Sequence, residues 1–476
     1  MKKTLLLLFI AACFIVSLIP SVGMIFNPTT QTIGNERETA FPSVLNEDGK
    51  VNTDYMGQLG DYFGKHFAFR PQIITADAKI QSKLFMSSNI PSVISGKNGW
   101  LFYSSTADDF TGENPMTEGE VMGVVNNLRI IQEFSQSKGI RFLFTVAPNK
   151  NTLYPDNMPY YYREKGSVHN RDTVSNALEK SEVNYCNLFN LFASQSETLY
   201  FSKDSHWNNK GALSAFNCLT DYLKKSHDDF QSAQVVRKKD FTGDLSKMIF
   251  PSSAETEFNF YYGAEEKYTY VTDTLAVEEP LIQTRSDSAT GTLYMYRDSF
   301  GNALLPFFAG AYGASTFTKS FPMILDKDLE KYAPDTFIME IAERNINWLI
   351  QRPPVFLSPQ ITVFKTDEQS SEQVKANIAL CEYSPDYIAV SGTLDRKYSE
   401  AEAVYVTLKC KDGTYKTREC YTIFDEQERQ FLAYFDSQEI DMSKQEEMSV
   451  IIKDGEKRIE LSTVTTNLGG TNENFN

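Results

Sequence analysis

Hydrophobic positions change rhythm several times along this chain. Lys2 and Lys3 precede Thr4-Leu5-Leu6-Leu7-Leu8-Phe9-Ile10, and the apolar run continues to about Phe26. A basic start followed by about 20 apolar residues reads either as a signal peptide or as a single spanning helix. Ser21-Val22-Gly23 offers a small-x-small cleavage site, and Pro20 is expected to break the helix just before it. Ile10-Ala11-Ala12-Cys13 has the outline of a lipoprotein box, but strongly apolar residues continue after Cys13. In an anchored form the two lysines stay cytoplasmic. Residues 1–26 are therefore a signal peptide or membrane anchor, and the rest of the chain is expected to act outside the cytoplasm. Residues 27–94 read as a juxtamembrane linker and an N-terminal helical extension, with Tyr55, Met56, Leu59, Tyr62 and Phe63 at helical intervals.

From about residue 95 the pattern is that of an α/β domain. Asn98-Gly99 before Trp100-Leu101-Phe102-Tyr103 predicts a tight turn entering a strand. Thr117 with Glu120 is a capping box, and the helix it opens should run to about Ser137. After Lys138-Gly139, Ile140 to Val146 is a continuous apolar strand, stopped by Ala147-Pro148-Asn149-Lys150. Helix, glycine, buried strand and loop in that order mark a parallel α/β sheet. Helices are predicted over 172–180 and 209–225 and from Ala303, and strands over 183–188, 291–296 and 336–341. Residues 228–290 are short, polar, Tyr-rich pieces that read as an insertion.

Beyond Pro353-Pro354 the period drops to that of strands. Short runs at 361–364, 374–380, 387–391, 403–408, 415–423, 431–435, 448–452 and 459–464 are separated by turn signals such as Asp412-Gly413 and Asp454-Gly455. About eight short strands at such spacing predict an all-β sandwich over 356–476, following an α/β domain over 95–355.

Composition narrows the function classes. The chain has 476 residues, 41% hydrophobic and 23% charged, with 34 Phe and 25 Tyr, which excludes an intrinsically disordered chain. Net charge is −16, so nucleic acid is not an expected partner. The acidity is concentrated from 356 onward, where 22 acids face 13 bases, a net of −9. Four histidines leave little for a multi-histidine metal centre, and no zinc spacing, P-loop or dinucleotide fingerprint is present. No metal and no cofactor are expected. The six cysteines form no C-x-x-C pair; Cys186 and Cys218 are far apart in sequence, and buried free thiols are the expectation.

Two segments carry candidate chemistry. In Lys203-Asp204-Ser205-His206-Trp207-Asn208, an Asp two residues before a His in an extended loop can put both side chains on one side, so that the carboxylate fixes the imidazole tautomer. The alternative is a surface loop with a satisfied His. In Tyr296-Arg297-Asp298-Ser299-Phe300-Gly301, a Ser lies where a buried strand turns into a helix, beside an N-terminus that stabilises developing negative charge. The alternative there is an ordinary helix cap.

Together these segments resemble the alginate O-acetyltransferase (AlgX/AlgJ) family and its Gram-positive relatives, within the SGNH hydrolase-like superfamily. The resemblance covers roughly 35–355. It also takes in Asn35-Glu36-Arg37-Glu38, Phe63 to Arg70, Gly96 to Tyr103, and Pro148-Asn149-Lys150 with Tyr154-Pro155. It implies an SGNH-like three-layer α/β/α sandwich, with Ser299 as nucleophile, His206 as general base and Asp204 as orienting carboxylate. The order Asp, His, Ser departs from the wider superfamily, as the alginate branch also does. Arg297 replaces the usual Gly before Asp-Ser, and no G-x-N-D block follows. At its expected place stand Arg344 and Asn345, candidate oxyanion donors whose alternatives are a salt bridge or a helix cap. Weaker substrate-side candidates are Trp207, as a sugar platform or as loop packing, and Asn149 and Lys150, at the same sheet edge as Ser299. Trp100 and Trp348 are assigned to the core.

The function implied is an extracytoplasmic O-acetyltransferase acting on a cell-surface or secreted polysaccharide through an acetyl-serine intermediate. Its partners would be a polysaccharide acceptor, a membrane-bound acyltransferase supplying acetyl groups, and the membrane itself through the N-terminal segment. An acetylesterase with the same triad and a non-catalytic membrane-tethered scaffold are the rival readings.

Overall fold

The structure, a computed structural model, describes residues 2–468 except 27, 30–32, 34, 35, 37, 47, 86, 164, 167, 274, 275, 359, 362–367, 370–374, 395–397, 399, 400, 426, 427 and 441–447. Asn35 and Arg37 and most of the strand expected at 361–364 lie outside the described residues. The apolar N-terminal run is one helix, Lys2–Phe26, and it continues through Pro20 rather than breaking there. The Pro20 carbonyl accepts from the Ala68 N–H at 3.2 Å. Lys3–Phe26 is long and apolar enough to cross a membrane. Two further helices, Tyr55–His66 and Arg70–Phe85, follow as the extension.

The α/β domain opens with a hairpin of β1 (Val93–Ser95) and β2 (Leu101–Tyr103). Asn98 and Gly99 both take positive φ at its turn, the conformation that Asn-Gly adopts at least cost. The chain then supplies β3 (Arg141–Ala147), β4 (Tyr185–Cys186), a hairpin of β5 (Val236–Thr242) and β6 (Thr256–Tyr261), β7 (Thr269–Tyr270), β8 (Leu281–Arg285), β9 (Thr292–Tyr296), β10 (Ala314–Thr318) and β11 (Thr336–Ala342). The main sheet runs β4-β3-β11-β9-β10-β8-β7. Its first five strands are parallel; β8 and β7 extend it antiparallel. The segment 228–290 is thus not a simple insertion, because its end completes the sheet. Its half-exposed edge strands lack the buried run that marks the central ones.

Alternation along the central strands makes the three layers. Phe142, Phe144, Tyr294, Phe337, Met339 and Ile341 face the Glu118–Ser137 and Asn170–Glu179 helices. Leu143, Leu293, Met295 and Ile338 face the Asn209–Tyr222 and Gly301–Ala311 helices. The predicted capping box is present: Glu120 N–H donates to Thr117 Oγ1, and Thr117 N–H donates to the Glu120 carboxylate.

Strands between 360 and 468 form the β domain, with no α-helix among the described residues. Strand Lys457–Leu468 pairs antiparallel with Ser449–Asp454 along its first half and parallel with Lys375–Ser384 along its second. This joins two ladders that enclose a core of Ile378, Val390, Val406, Val450, Ile452 and Phe435. The run expected over 415–423 is two strands. Tyr415–Glu419 pairs with Ala403–Lys409 and Tyr421–Asp425 with Glu428–Asp436, because the chain crosses from one ladder to the other at Cys420.

The β domain packs on the outer face of helix Glu118–Ser137. Tyr421, Ile423, Leu432 and Tyr434 join the core on that side of the α/β sheet. Asn127, fully buried, locks the contact: its amide donates to Leu349 O (2.7 Å) and Thr422 O (2.8 Å), and its carbonyl accepts from Thr422 N–H (2.8 Å).

Candidate active site

Strands β3, β9 and β11 end at one sheet edge, with Ala147 beside Ala342 and Tyr296 beside Met339. Chains leaving the carboxyl ends of parallel strands build a site there. The turn after β9 carries Ser299. Asp298, behind it, accepts from Phe300 N–H through Oδ1 (2.8 Å) and from Ala342 N–H through Oδ2 (2.7 Å), which fixes the turn to the neighbouring strand. Buried Glu340 on β11 accepts from Asp298 N–H at 3.1 Å. Burial and then the Asp298 carboxylate push the Glu340 carboxyl well above its ordinary range. A side chain at position 301 would put its Cβ 2.4 Å from Arg297 Cβ and 2.9 Å from Glu340 Oε2, so only glycine lets the turn enter its helix.

The second half of the site is the loop 199–208. Phe201 N–H donates to His206 O and Asn208 N–H to Leu199 O, folding the loop back on itself. Asp204 and His206 then project together. Asp204 Oδ1 accepts from His206 N–H (2.9 Å) and faces Nδ1 at 2.7 Å. Its Oδ2 accepts from Asp244 N–H at 2.7 Å. His206 Nε2 lies 2.7 Å from Ser299 Oγ. With Nδ1 donating to Asp204, the Nε2 lone pair faces the serine hydroxyl. The structure thus brings Asp204, His206 and Ser299 into one hydrogen-bonded line.

The electrostatics follow from this line. Burial alone would lower the His206 pKa, but the Asp204 carboxylate and its hydrogen bond outweigh that and raise it. Burial would raise Asp204, yet His206 and the N–H groups hold it well below the usual carboxylate range. Asp204, His206 and Asp244 offer ligand atoms within 4.8 Å of one another. The Asp204 oxygens, however, already accept from His206 and Asp244, so this set does not present a free ligand shell.

Other expected residues fall differently. Arg344 lines the cavity at Ser299. Asn345 does not project into it; its amide points behind the turn to Asp298 Oδ2, at 3.4 Å. Trp207 is 1% exposed and donates from Nε1 to Phe300 O at 3.1 Å, so it braces the nucleophile turn while forming part of the cavity wall. Trp100 and Trp348, assigned to the core, are instead half-buried. Asn149 is buried, with its amide on Asp109 and its N–H on Glu343. Lys150 is 3% exposed, and its ammonium donates to the carbonyls of Phe201, Ser202 and Asp204. Neither faces the cleft, because the loop before helix Lys150–Leu153 turns inward under the Asp204 loop. Burial lowers the Lys150 pKa to about 8. Lys150→Met should strand those three carbonyls and destabilise the domain by about 3 kcal/mol, read as a lower urea midpoint at unchanged slope.

The cavity at Ser299 holds about 710 Å³ and is walled by residues that sequence reasoning passed over: Tyr103, Phe241, Asp244, Asn302 and Lys319. Asn302 follows Ser299 by one helical turn, which is a signal readable in the sequence. Arg297 donates to its Oδ1, which turns the amide NH2 the other way. Phe241 and Asp244 come from the 228–290 segment, where no pattern marked them.

A serine–histidine–aspartate line at the carboxyl edge of a three-layer α/β/α sheet is a constellation that acyl-transfer chemistry uses on several unrelated folds. Residues 93–290 match the family described as "SGNH hydrolase-like domain, acetyltransferase AlgX". The matched span includes Asp204 and His206 and ends before Ser299. No curated protein matches the chain. Among solved structures, it is similar to Bacillus cereus PatB1 (15% identity, 53% of this chain and 96% of that one, TM-score 0.40). It is similar also to the O-acetyltransferase domain of Pseudomonas putida AlgJ (15%, 54% and 92%, 0.36) and to Pseudomonas aeruginosa AlgX (14%, 77% and 92%, 0.37).

Proposed function

We propose that this protein is an extracytoplasmic O-acetyltransferase that acetylates a cell-surface or secreted polysaccharide through an acetyl-serine intermediate. The observation that carries the reading is the 2.7 Å approach of His206 Nε2 to Ser299 Oγ, with Asp204 on the far side of the ring, at the mouth of a cavity of about 710 Å³. The AlgX-type domain supplies the reaction class.

In this reading His206 takes the Ser299 proton as Oγ attacks the carbonyl of an acetyl donor. The oxyanion is met by the Ser299 N–H at the start of helix Gly301–Ala311, with Arg344 and the Asn302 amide as further donors. Collapse expels the donor's leaving oxygen, which takes the proton from His206, and leaves acetyl-Ser299. A sugar hydroxyl then loses its proton to His206 and attacks the acetyl carbon. Ser299 leaves as the hydroxyl, reprotonated by His206, and the acetylated glycan departs. A membrane-bound acyltransferase would deliver acetyl groups to the outer face, and the Lys2–Phe26 helix would hold the enzyme near it.

The test is turnover of an aryl acetate by the fragment from about residue 30 onward, with and without an oligosaccharide acceptor. Acetylated oligosaccharide found by mass spectrometry supports the transferase. Release of acetate alone, unchanged by acceptor, replaces it with the esterase. No acetyl-enzyme and no turnover favours the scaffold.

A further inference from the structure

Cys186 and Cys218 stand 32 residues apart in sequence, and their Sγ atoms lie 3.1 Å apart. Cys186 ends β4, where it pairs beside Thr145 of β3; Cys218 lies on the inner side of helix Asn209–Tyr222, against the same core. The fold itself holds the two sulfurs together, through β-pairing on one side and helix packing on the other. We infer that Cys186 and Cys218 form a disulfide once the chain is exported, a modification that closes a ring around Asp204 and His206. The inference rests on the extracytoplasmic location proposed above, since an exported chain meets an oxidising environment.

Closing the bond moves each sulfur by about half an ångström, from 3.1 Å to the roughly 2.05 Å of a disulfide. The hydrogen bond shared with Cys186 lowers the Cys218 pKa, which favours Cys218 as the attacking thiolate. Cys218 is also the more exposed of the two. Its thiolate attacks a small disulfide such as oxidised glutathione, forming a mixed disulfide and releasing one glutathione thiol. Cys186 then attacks the protein-side sulfur and releases the second. Two protein thiols and one oxidised glutathione become one protein disulfide and two reduced glutathiones, so atoms and electrons balance.

The ring gives the bond its consequence. It spans the 199–208 loop, whose Asp204 orients His206 toward Ser299, and ends on the helix capped by Asn208. A cross-link over such a loop stabilises chiefly by restricting the unfolded chain. Reduction should therefore lower the melting temperature by on the order of 5–10 °C.

The experiment incubates the full chain, purified in detergent, with oxidised glutathione, then denatures it in excess N-ethylmaleimide and maps the peptides. The expected result is one peptide pair carrying Cys186 and Cys218, lighter by two hydrogens and unlabelled, while Cys381, Cys410 and Cys420 take the label. Labelling of both Cys186 and Cys218, or glutathione left on either one, overturns the inference. A second measurement avoids any folding defect of a variant: the oxidised wild type should melt above the same protein reduced with dithiothreitol. Equal melting points overturn the stabilising role. Protein trapped with N-ethylmaleimide directly from cells should carry the same link; thiols found free there overturn the link as a modification of the exported protein. Turnover of the aryl acetate is scored separately, so loss of the link with activity intact removes this inference alone. Absent turnover with the link intact removes the proposed function instead.

Discussion

Replacing Ser299 by Ala is expected to reduce acetyl transfer on the order of 10⁵-fold. In the proposed mechanism the effect is large because the hydroxyl forms the bond that splits one difficult transfer into two. The substitution removes one oxygen from a half-buried side chain and leaves the turn held by Asp298, Glu340 and Trp207. Stability should change by less than about 1 kcal/mol. The measurement is aryl acetate turnover, paired with a urea melt. A folded Ser299→Ala protein that keeps its turnover would show that another residue carries the acetyl group. An unfolded one would show that the hydroxyl holds the turn together.

Much of the fold was legible because its local signals agree with its tertiary role. Thr117 and Glu120 announced a helix that runs over Glu118–Ser137, and the apolar run before Asn149 is the buried strand β3. Asp204-x-His206 and Asp298-Ser299 were readable because each sits on a short segment whose backbone points the side chain the right way. What brings them together is the order of strands, and no short-range pattern encodes that. Ser299 follows β9, and the 199–208 loop is held by Lys150 just after β3, two strands away across β11.

The misreadings share a physical cause. Lysine and asparagine at a strand end are ordinarily solvent-facing, and composition cannot reveal which one finds buried partners. Lys150 is buried because three inward-facing carbonyls of a tight loop need a donor. Trp207 is buried because its N–H reaches the Phe300 carbonyl and its ring stacks on Phe192, 5.7 Å away. Lys150 serves the site from behind, while Trp207 braces the turn and forms part of the cavity wall. The 228–290 segment was opaque for the opposite reason: its strands are short and half-exposed, yet its hairpin and its Asp244–Ile249 helix wall the cavity. Cys186 and Cys218 meet only because β4 and helix Asn209–Tyr222 pack on one core.

His206→Ala should cost nearly as much as Ser299→Ala, on the order of 10⁴–10⁵-fold, because an unassisted serine hydroxyl is a poor nucleophile near neutral pH. Asp204→Asn should cost about tenfold less, since it chiefly misorients the ring. The losses should not add, because the three groups act as one unit. The pH profile makes the assignment specific. Only neutral His206 can accept the serine proton, and its pKa is raised because Asp204 outweighs burial. Activity should therefore fall tenfold per pH unit below an acid limb lying above the ordinary histidine value of about 6.5. Stability moves the other way. A histidine whose folded pKa is raised contributes stability that is complete below the unfolded pKa and lost as pH rises through the folded one. As pH falls through the raised His206 pKa, turnover should be lost while the His206–Asp204 pair grows more stabilising. Urea melts and turnover measured on the same samples separate the two trends. Turnover and stability falling together toward pH 6 would mean that the acid limb reports unfolding. An acid limb that survives in His206→Ala would place the titrating base elsewhere in the cleft.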